Sequence, residues 1–159
     1  MSEQELNWLH ESSKKMACVV EIGSWKGRST YALLTGCKGH VRAIDHWKGN
    51  AGVKEMEREV NGDNIYQEFL KNVGNFPNLI VERGESKEIA DKYPGWTFDM
   101  IFIDAGHTYE EVKRDIKIWL PKTKKLICGH DYDFPEVKKA VDELLGTVAT
   151  CGSIWYQYK

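Results

Sequence analysis

Apolar positions along the chain alternate between two periods, one of helices and one of buried strands. Leu6, Trp8 and Leu9 mark one face of a short opening helix, and Ala17 to Ile22, with Glu21 the only charged residue, then reads as a buried strand stopped by Gly23. The spacing predicts a helix over 29–34 with Gly36 as its stop, a strand over 41–45 and a helix over 64–73 on the Ile65, Phe69 and Val73 stripe. A short strand over 79–81 and a helix over 85–92 follow. Phe98 to Asp104 is the clearest strand in the chain. Val112, Ile116, Trp119 and Leu120 form the apolar face of a helix that Pro121 ends, and 125–128 leads into a fifth strand. Pro135 suits the start of a helix whose core face is Val137, Val141, Leu144 and Leu145. The runs 147–150 and 153–158, separated by Cys151 and Gly152, read as a hairpin.

Five strands alternating with helices specify an α/β fold, with helices on both faces of a seven-stranded, mainly parallel sheet that closes in a C-terminal antiparallel hairpin. No linker, repeat or low-complexity tract breaks the pattern, so 1–159 reads as one domain with 1–16 as an N-terminal helical extension. The polar, glycine-bearing stretch 46–62 lies between the second strand and the next helix, a position suited to a lid or substrate loop.

Composition narrows the function classes. With 42% apolar and 29% charged residues, the 159-residue chain suits one soluble domain, and 22 Lys and Arg against 24 Asp and Glu leave a net charge of −2, no case for a nucleic acid partner. The longest apolar stretch, Met16 to Val20, is far below the roughly 18 residues of a membrane span. Neither a membrane segment nor a secretory leader is expected. Cys18, Cys37, Cys128 and Cys151 are scattered without a C-x-x-C pair, which points to reduced thiols and a cytoplasmic location, with Cys18 and Cys128 as small buried hydrophobes.

Open α/β sheets bind ligands beyond the carboxyl ends of their strands, where strand order reverses. The first such turn reads Glu21-Ile22-Gly23-Ser24-Trp25-Lys26-Gly27-Arg28-Ser29, which is neither G-x-G-x-x-G nor a G-x-x-x-x-G-K-[ST] phosphate loop. It suits a ligand without a diphosphate. Asp45, ending the second strand, can accept both hydroxyls of a ribose. An adenosine without phosphates satisfies both conditions.

Val20 to Ser29 resembles motif I of the class I S-adenosylmethionine-dependent methyltransferases, and Asp45 resembles their ribose-binding acid. The resemblance runs from Ala17 to Tyr158 and implies a Rossmann-like three-layer sandwich that binds S-adenosylmethionine. It implies that Gly23, Ser24 and Gly27 let the backbone approach the methionine part, that Glu21 lies beneath it, and that Ser29 sits near the cofactor carboxylate. His46 follows directly on Asp45, and Gly84-Glu85-Ser86 resembles the family's adenine-contacting turn. Trp25 and Trp47 each suit either a wall of this site or plain packing.

Asp104 and His107 follow the fourth strand, and His130 and Asp131 the fifth, so two neighbouring strand ends offer oxygen and imidazole donors to a divalent metal. Strand-end aspartates also cap helices, and a histidine there also serves as a structural hydrogen-bonding group. The region from Asp99 to Leu145 resembles the small metal-dependent O-methyltransferases and the related cephalosporin-hydroxylase-like group. That resemblance implies metal binding by Asp104, His130 and Asp131, magnesium first among the candidates, with His107 as the base and Asp104 in the catalytic and cofactor sites. His130 stands where a carboxylate is usual, which shifts the donor set toward softer cations. A histidine suits proton removal because its ordinary pKa, about 6.5, is near neutral pH.

The function these residues predict is methyl transfer to a small-molecule hydroxyl. The alternatives are metal-independent methylation of a nitrogen or a nucleic acid base, against which the missing Asn/Asp-Pro-Pro-Tyr motif counts, and an inactive cofactor-binding accessory module. Lys122, Lys124 and Lys125 read as solvated surface, and Trp155, Tyr156 and Tyr158 as an edge that supports a homo-oligomer.

Overall fold

The computed structural model describes residues 1–49 and 58–159. Residues 50–57 of the expected loop 46–62 lie outside the described residues. Strands β1 (Cys18–Ile22), β2 (His40–Asp45), β3 (Leu79–Arg83), β4 (Phe98–Ile103), β5 (Thr123–Gly129), β6 (Ala149–Cys151) and β7 (Ile154–Tyr158) form one sheet in the order β3-β2-β1-β4-β5-β7-β6. The first five are parallel, while β7 pairs antiparallel with both β5 and β6. This is the Rossmann-like three-layer arrangement that the sequence predicts.

Helices α1 (Glu3–Ser13), α2 (Arg28–Gly36) and α3 (Asn64–Val73) cover one face of the sheet, and α4 (Ser86–Asp91), α5 (Tyr109–Trp119) and α6 (Pro135–Leu145) the other. Residues on the central strands alternate between the two cores: Val19, Met100 and Phe102 join the first, Val20, Ile101 and Ile103 the second. Phe98 departs from the alternation, sharing a face with Ile101, because the β4–β5 register shifts between Phe98 and Met100. Asp99 at that irregularity is buried, accepts the Ala17 N–H at 2.7 Å and lies 3.1 Å from the Lys125 ammonium.

One expectation changes. The hairpin does not leave β7 at the rim, because β7 inserts between β5 and β6 and buries Trp155 to 1% exposure. Trp155 is therefore core rather than a partner surface, and Tyr158 is the exposed aromatic of that strand. The N-terminal helix α1 packs so closely on α2 that a Cβ at Gly36 would stand 2.2 Å from the His10 carbonyl oxygen. Among the four cysteines, all free, Cys37 and Cys128 are buried and Cys18 and Cys151 only partly so. No helix among the described residues is long and apolar enough to cross a membrane.

Candidate active site

Strand order reverses between β2-β1 and β4-β5, and the ladder carries its hydrogen bonds one residue past each strand into the groups facing that crevice. Gly23 N–H donates to the Ile44 carbonyl at 2.9 Å, Asp104 N–H to Ile22 at 2.8 Å, Gly84 N–H to Asp45 at 3.0 Å and His130 N–H to Ile103 at 3.1 Å. The sheet itself thus fixes the floor of the site. A cleft of about 390 Å³ opens above it, within the usual range of small-molecule sites. Of the residues singled out in the sequence, Gly23, Ser24, Ser29, Asp45, His46, Gly84, Glu85, Ser86, Asp104, His107, His130 and Asp131 line it.

Gly23 takes a φ of +90° and packs directly on the backbone of Asp104 and Ala105. Gly27 does not line the cleft: it is the left-handed N-cap of α2, and a Cβ there would crowd Phe69 and Val73 of α3. Glu21 lies beneath the turn, where Oε2 accepts the hydroxyls of Ser24 at 2.8 Å and Thr30, while Oε1 is buried without a hydrogen-bond partner among the described residues. Burial pushes its carboxyl up to about 7.

Asp45 is held from both sides. Its Oδ2 accepts the Trp25 N–H at 2.8 Å and its Oδ1 the Trp47 N–H at 2.6 Å, and each oxygen retains a lone pair for a donor in the cleft. The double meaning of the tryptophans resolves here. Trp47 is fully buried against Tyr66 and Phe69 at 4.8 and 4.9 Å between ring centroids, and its indole donates to the Trp25 carbonyl at 2.7 Å, so it is packing. Trp25 lines the cleft.

The acidic end of the cleft gathers four side chains. His107 Nε2 lies 2.8 Å from Asp131 Oδ2, and His130 Nδ1 lies 2.9 Å from Asp131 Oδ1 and 3.8 Å from Asp104 Oδ1. Burial raises Asp104 to about 6, with the Asp131 charge adding to the rise and His130 and His107 opposing it. Hydrogen bonds from both imidazoles outweigh burial at Asp131 and hold it far below the ordinary range. The Asp131 bond raises His107, and the same carboxylate overcomes burial to raise His130. Donor atoms of Asp104, His107 and Asp131 lie within 4.8 Å of one another, so the group able to converge on a cation contains His107, with His130 held alongside. Phe134 stacks on the His107 ring at 5.6 Å and is half exposed.

Sequence reasoning missed Glu5, Arg28 and Asp115. Arg28 opens α2, and it and Asp115 line the cleft. Glu5 crosses from α1 to the site: its Oε1 accepts the Ser153 N–H at 2.7 Å and lies 3.4 Å from His130 Nε2, while its Oε2 accepts from Ser2 N–H at 2.5 Å. Its capping-box spacing with Ser2 was visible in the sequence, but not the long-range contact. Against the pull of burial, the Ser2 and Ser153 N–H groups lower Glu5 from 4.5 to about 2. A lowered carboxyl stabilises the fold above its unfolded value and loses that contribution as pH falls through the folded one. Glu5→Gln is therefore expected to lose about 2 kcal/mol at neutral pH, after allowance for screening, and to flatten the stability profile between pH 4.5 and 2, as measured by urea unfolding. An acid limb identical to that of wild type would contradict this.

Residues 20–132 match the family profile described as "Methyltransferase domain". The chain belongs to this family. Solved structures similar to the methyltransferase include the O-methyltransferase of Bacillus cereus in complex with SAH, with a TM-score of 0.70 at 16% identity over 100% of this chain and 82% of that one. The O-methyltransferase TomG of Streptomyces achromogenes, in complex with SAM and involved in tomaymycin synthesis, has a TM-score of 0.65 at 17% identity over 98% and 78%. A methyltransferase from Geobacter sulfurreducens has a TM-score of 0.66 at 15% identity over 100% and 80%. No curated protein sequence matches the methyltransferase.

Proposed function

We propose that this methyltransferase moves the methyl group of S-adenosylmethionine to a hydroxyl of a small-molecule acceptor, with His107 receiving the hydroxyl proton. The observation that carries the reading is one shared wall: the Gly23 turn packs on Asp104, and the His107–Asp131 pair stands beside Asp104 in the same cleft. The sulfonium supplies an activated methyl group, and its in-line displacement requires an aligned acceptor that loses its proton.

The residues lining the cleft divide that task. Asp45 holds the ribose through the lone pairs left by Trp25 and Trp47. Gly23 and Ser24 let the backbone approach the methionine part, and Ser29 with Arg28 faces its carboxylate. Gly84, Glu85 and Ser86 border the base. Asp131 fixes His107 through Nε2, which leaves Nδ1 to take the proton.

Two carboxylates and an imidazole within 4.8 Å fit a divalent cation. Asp104 and Asp131 would hold it, and it would supply polarisation of the acceptor hydroxyl. The convergence of His107 on the same point favours a second use of that side chain, as a ligand, and the mutant separates the two.

The test is calorimetric titration of S-adenosylmethionine and S-adenosylhomocysteine, with and without magnesium, manganese and zinc, on wild type and His107→Ala. Micromolar cofactor binding is expected in both proteins. Methyl transfer to a panel of catechol and sugar hydroxyls is expected to fall about 10²- to 10⁴-fold in His107→Ala. Unchanged turnover removes His107 as the base, and metal binding lost with it makes the residue a ligand. Absence of cofactor binding under every condition overturns the proposal.

A further inference from the structure

The end of the sheet opposite the cleft carries a charge pattern that methyl transfer does not use. Because β1 to β5 run parallel, the segments that enter them all lie at this end, and so does the exit of the antiparallel β7. Residues 14–17, 37–39, 74–78, 92–97, 120–125 and 159 hold eight of the chain's 22 Lys and Arg, all of them lysine, and none of its 24 Asp and Glu. The rest of the chain therefore has 14 cations against 24 carboxylates. Contacts join the entering segments into one surface. A Cβ at Gly39 would stand 1.8 Å from the Ala17 carbonyl oxygen, Lys125 Nζ lies 3.5 Å from the Lys15 carbonyl oxygen, and the Lys159 N–H donates to the Lys125 carbonyl at 2.9 Å. Lys122 Nζ donates to the Tyr93 carbonyl at 2.6 Å, and Tyr93 packs against Trp96 at 5.3 Å between ring centroids. Five adjacent strands contribute, which makes a rim about 20 Å wide at about 4.8 Å per strand.

Helix C-termini also lie at this end, and lysines there complement the helix dipole. That role is filled by Lys122 and Lys159, whose ammonium groups are seated on the Tyr93 and Leu120 carbonyls, while Lys125 faces the buried Asp99. Lys15, Lys38, Lys92 and Lys124 are exposed, and their ammonium groups meet neither a carbonyl nor a carboxylate among the described residues. Elsewhere Lys26, Lys87, Lys113 and Lys138 each hold a carboxylate. Beside the four unpaired charges Trp96, 55% exposed, stands at the end of the turn that begins at Tyr93.

We infer that this rim docks the methyltransferase on an anionic lipid bilayer, with the cleft turned toward the aqueous side. Ammonium groups spread along a rim five strands wide match a plane of anionic headgroups. Arginine, whose bidentate fork favours nucleic acid phosphates, is missing from these segments. An exposed indole beside lysines settles at a membrane–water interface. The excess of carboxylates over the rest of the chain disfavours every other orientation on such a surface.

The test is cosedimentation with vesicles of phosphatidylcholine alone and of phosphatidylcholine mixed with phosphatidylglycerol. Wild type is expected to sediment with the mixed vesicles only, and to be released between about 0.1 and 1 M salt as the screening length falls from about 10 to 3 Å. Each lysine near an anionic surface strengthens binding about fivefold, so the combined variant Lys15→Gln, Lys38→Gln, Lys92→Gln and Lys124→Gln is expected to bind at least about 100-fold more weakly. Trp96→Ala removes the indole alone and is expected to weaken binding while keeping its dependence on salt. Failure of wild type to sediment, equal sedimentation with neutral vesicles, or binding that salt leaves unchanged overturns the inference whether or not the variants fold. Full binding by the combined variant also overturns it. A single-stranded oligonucleotide bound more tightly than the mixed vesicles, with the same loss in the combined variant, overturns it and assigns the rim to nucleic acid.

Discussion

Asp45→Ala is expected to weaken the binding of S-adenosylhomocysteine by at least about 100-fold, because two hydroxyl hydrogen bonds to a charged acceptor are lost, each worth about 1.5 kcal/mol or more. The loss does not stop at the ligand. The same carboxylate accepts the N–H groups of Trp25 and Trp47, whose backbones lie at φ of 45° and 55°. Removing it leaves two strained residues without the group that holds them there. Asp45→Asn, which keeps one acceptor oxygen, is expected to fall between wild type and alanine. Calorimetry on protein whose near-ultraviolet circular dichroism matches wild type separates lost contacts from lost structure. Unchanged affinity in Asp45→Ala would remove Asp45 from the ribose site.

Gly23→Ala is expected to lower the free energy of unfolding by about 3 kcal/mol or more, or to prevent folding altogether. A Cβ at Gly23 would lie 2.1 Å from the Asp104 carbonyl oxygen, 2.6 Å from its carbon and 2.7 Å from Ala105 Cα. These are backbone atoms, and the Asp104 N–H bond to Ile22 prevents them from retreating. Gly95 provides the control: its φ is +72°, yet nothing lies within 4 Å of a built Cβ. Gly95→Ala therefore carries the conformational cost alone, about 1 kcal/mol. Urea unfolding of the two variants measures the difference, and equal losses would mean that the approach of β1 to β4 is looser than described.

Much of this arrangement was legible in the sequence because it follows from local periods and from where strands end. The alternation of strand and helix gave the parallel sheet, and the placement of Asp45 at the end of a strand and of Gly23, Asp104 and Asp131 just beyond one put them at one edge of it. What stayed hidden depends on contacts between distant segments. Whether Trp47 packs or faces a ligand is decided by Tyr66 and Phe69, on a helix beyond the next loop. The interior position of β7 depends on which side of β6 it pairs with β5, and the 147–158 pattern is the same in either case. That His107 rather than His130 shares a convergence point with the two aspartates, and that Glu5, from the opposite end of the chain, faces the other nitrogen of His130, are both set by contacts the local sequence does not carry. Asp115 did leave a signal, a charge at the i+3 position of the Val112, Ile116 and Trp119 stripe, where a solvated residue does not belong.

The fully buried Trp47 has a consequence for how the site moves. Its side chain belongs to the core formed with α3, while its backbone and indole N–H brace Asp45 and Trp25. The wall of the cleft formed by Trp25 and Asp45 is thereby part of the same cooperative unit as that core, and it opens only when the unit opens. Amide protons at Trp25 and Trp47 are therefore expected to exchange with solvent on the timescale of global unfolding, and an incoming ligand would meet a seat already ordered, with little conformational entropy left to lose.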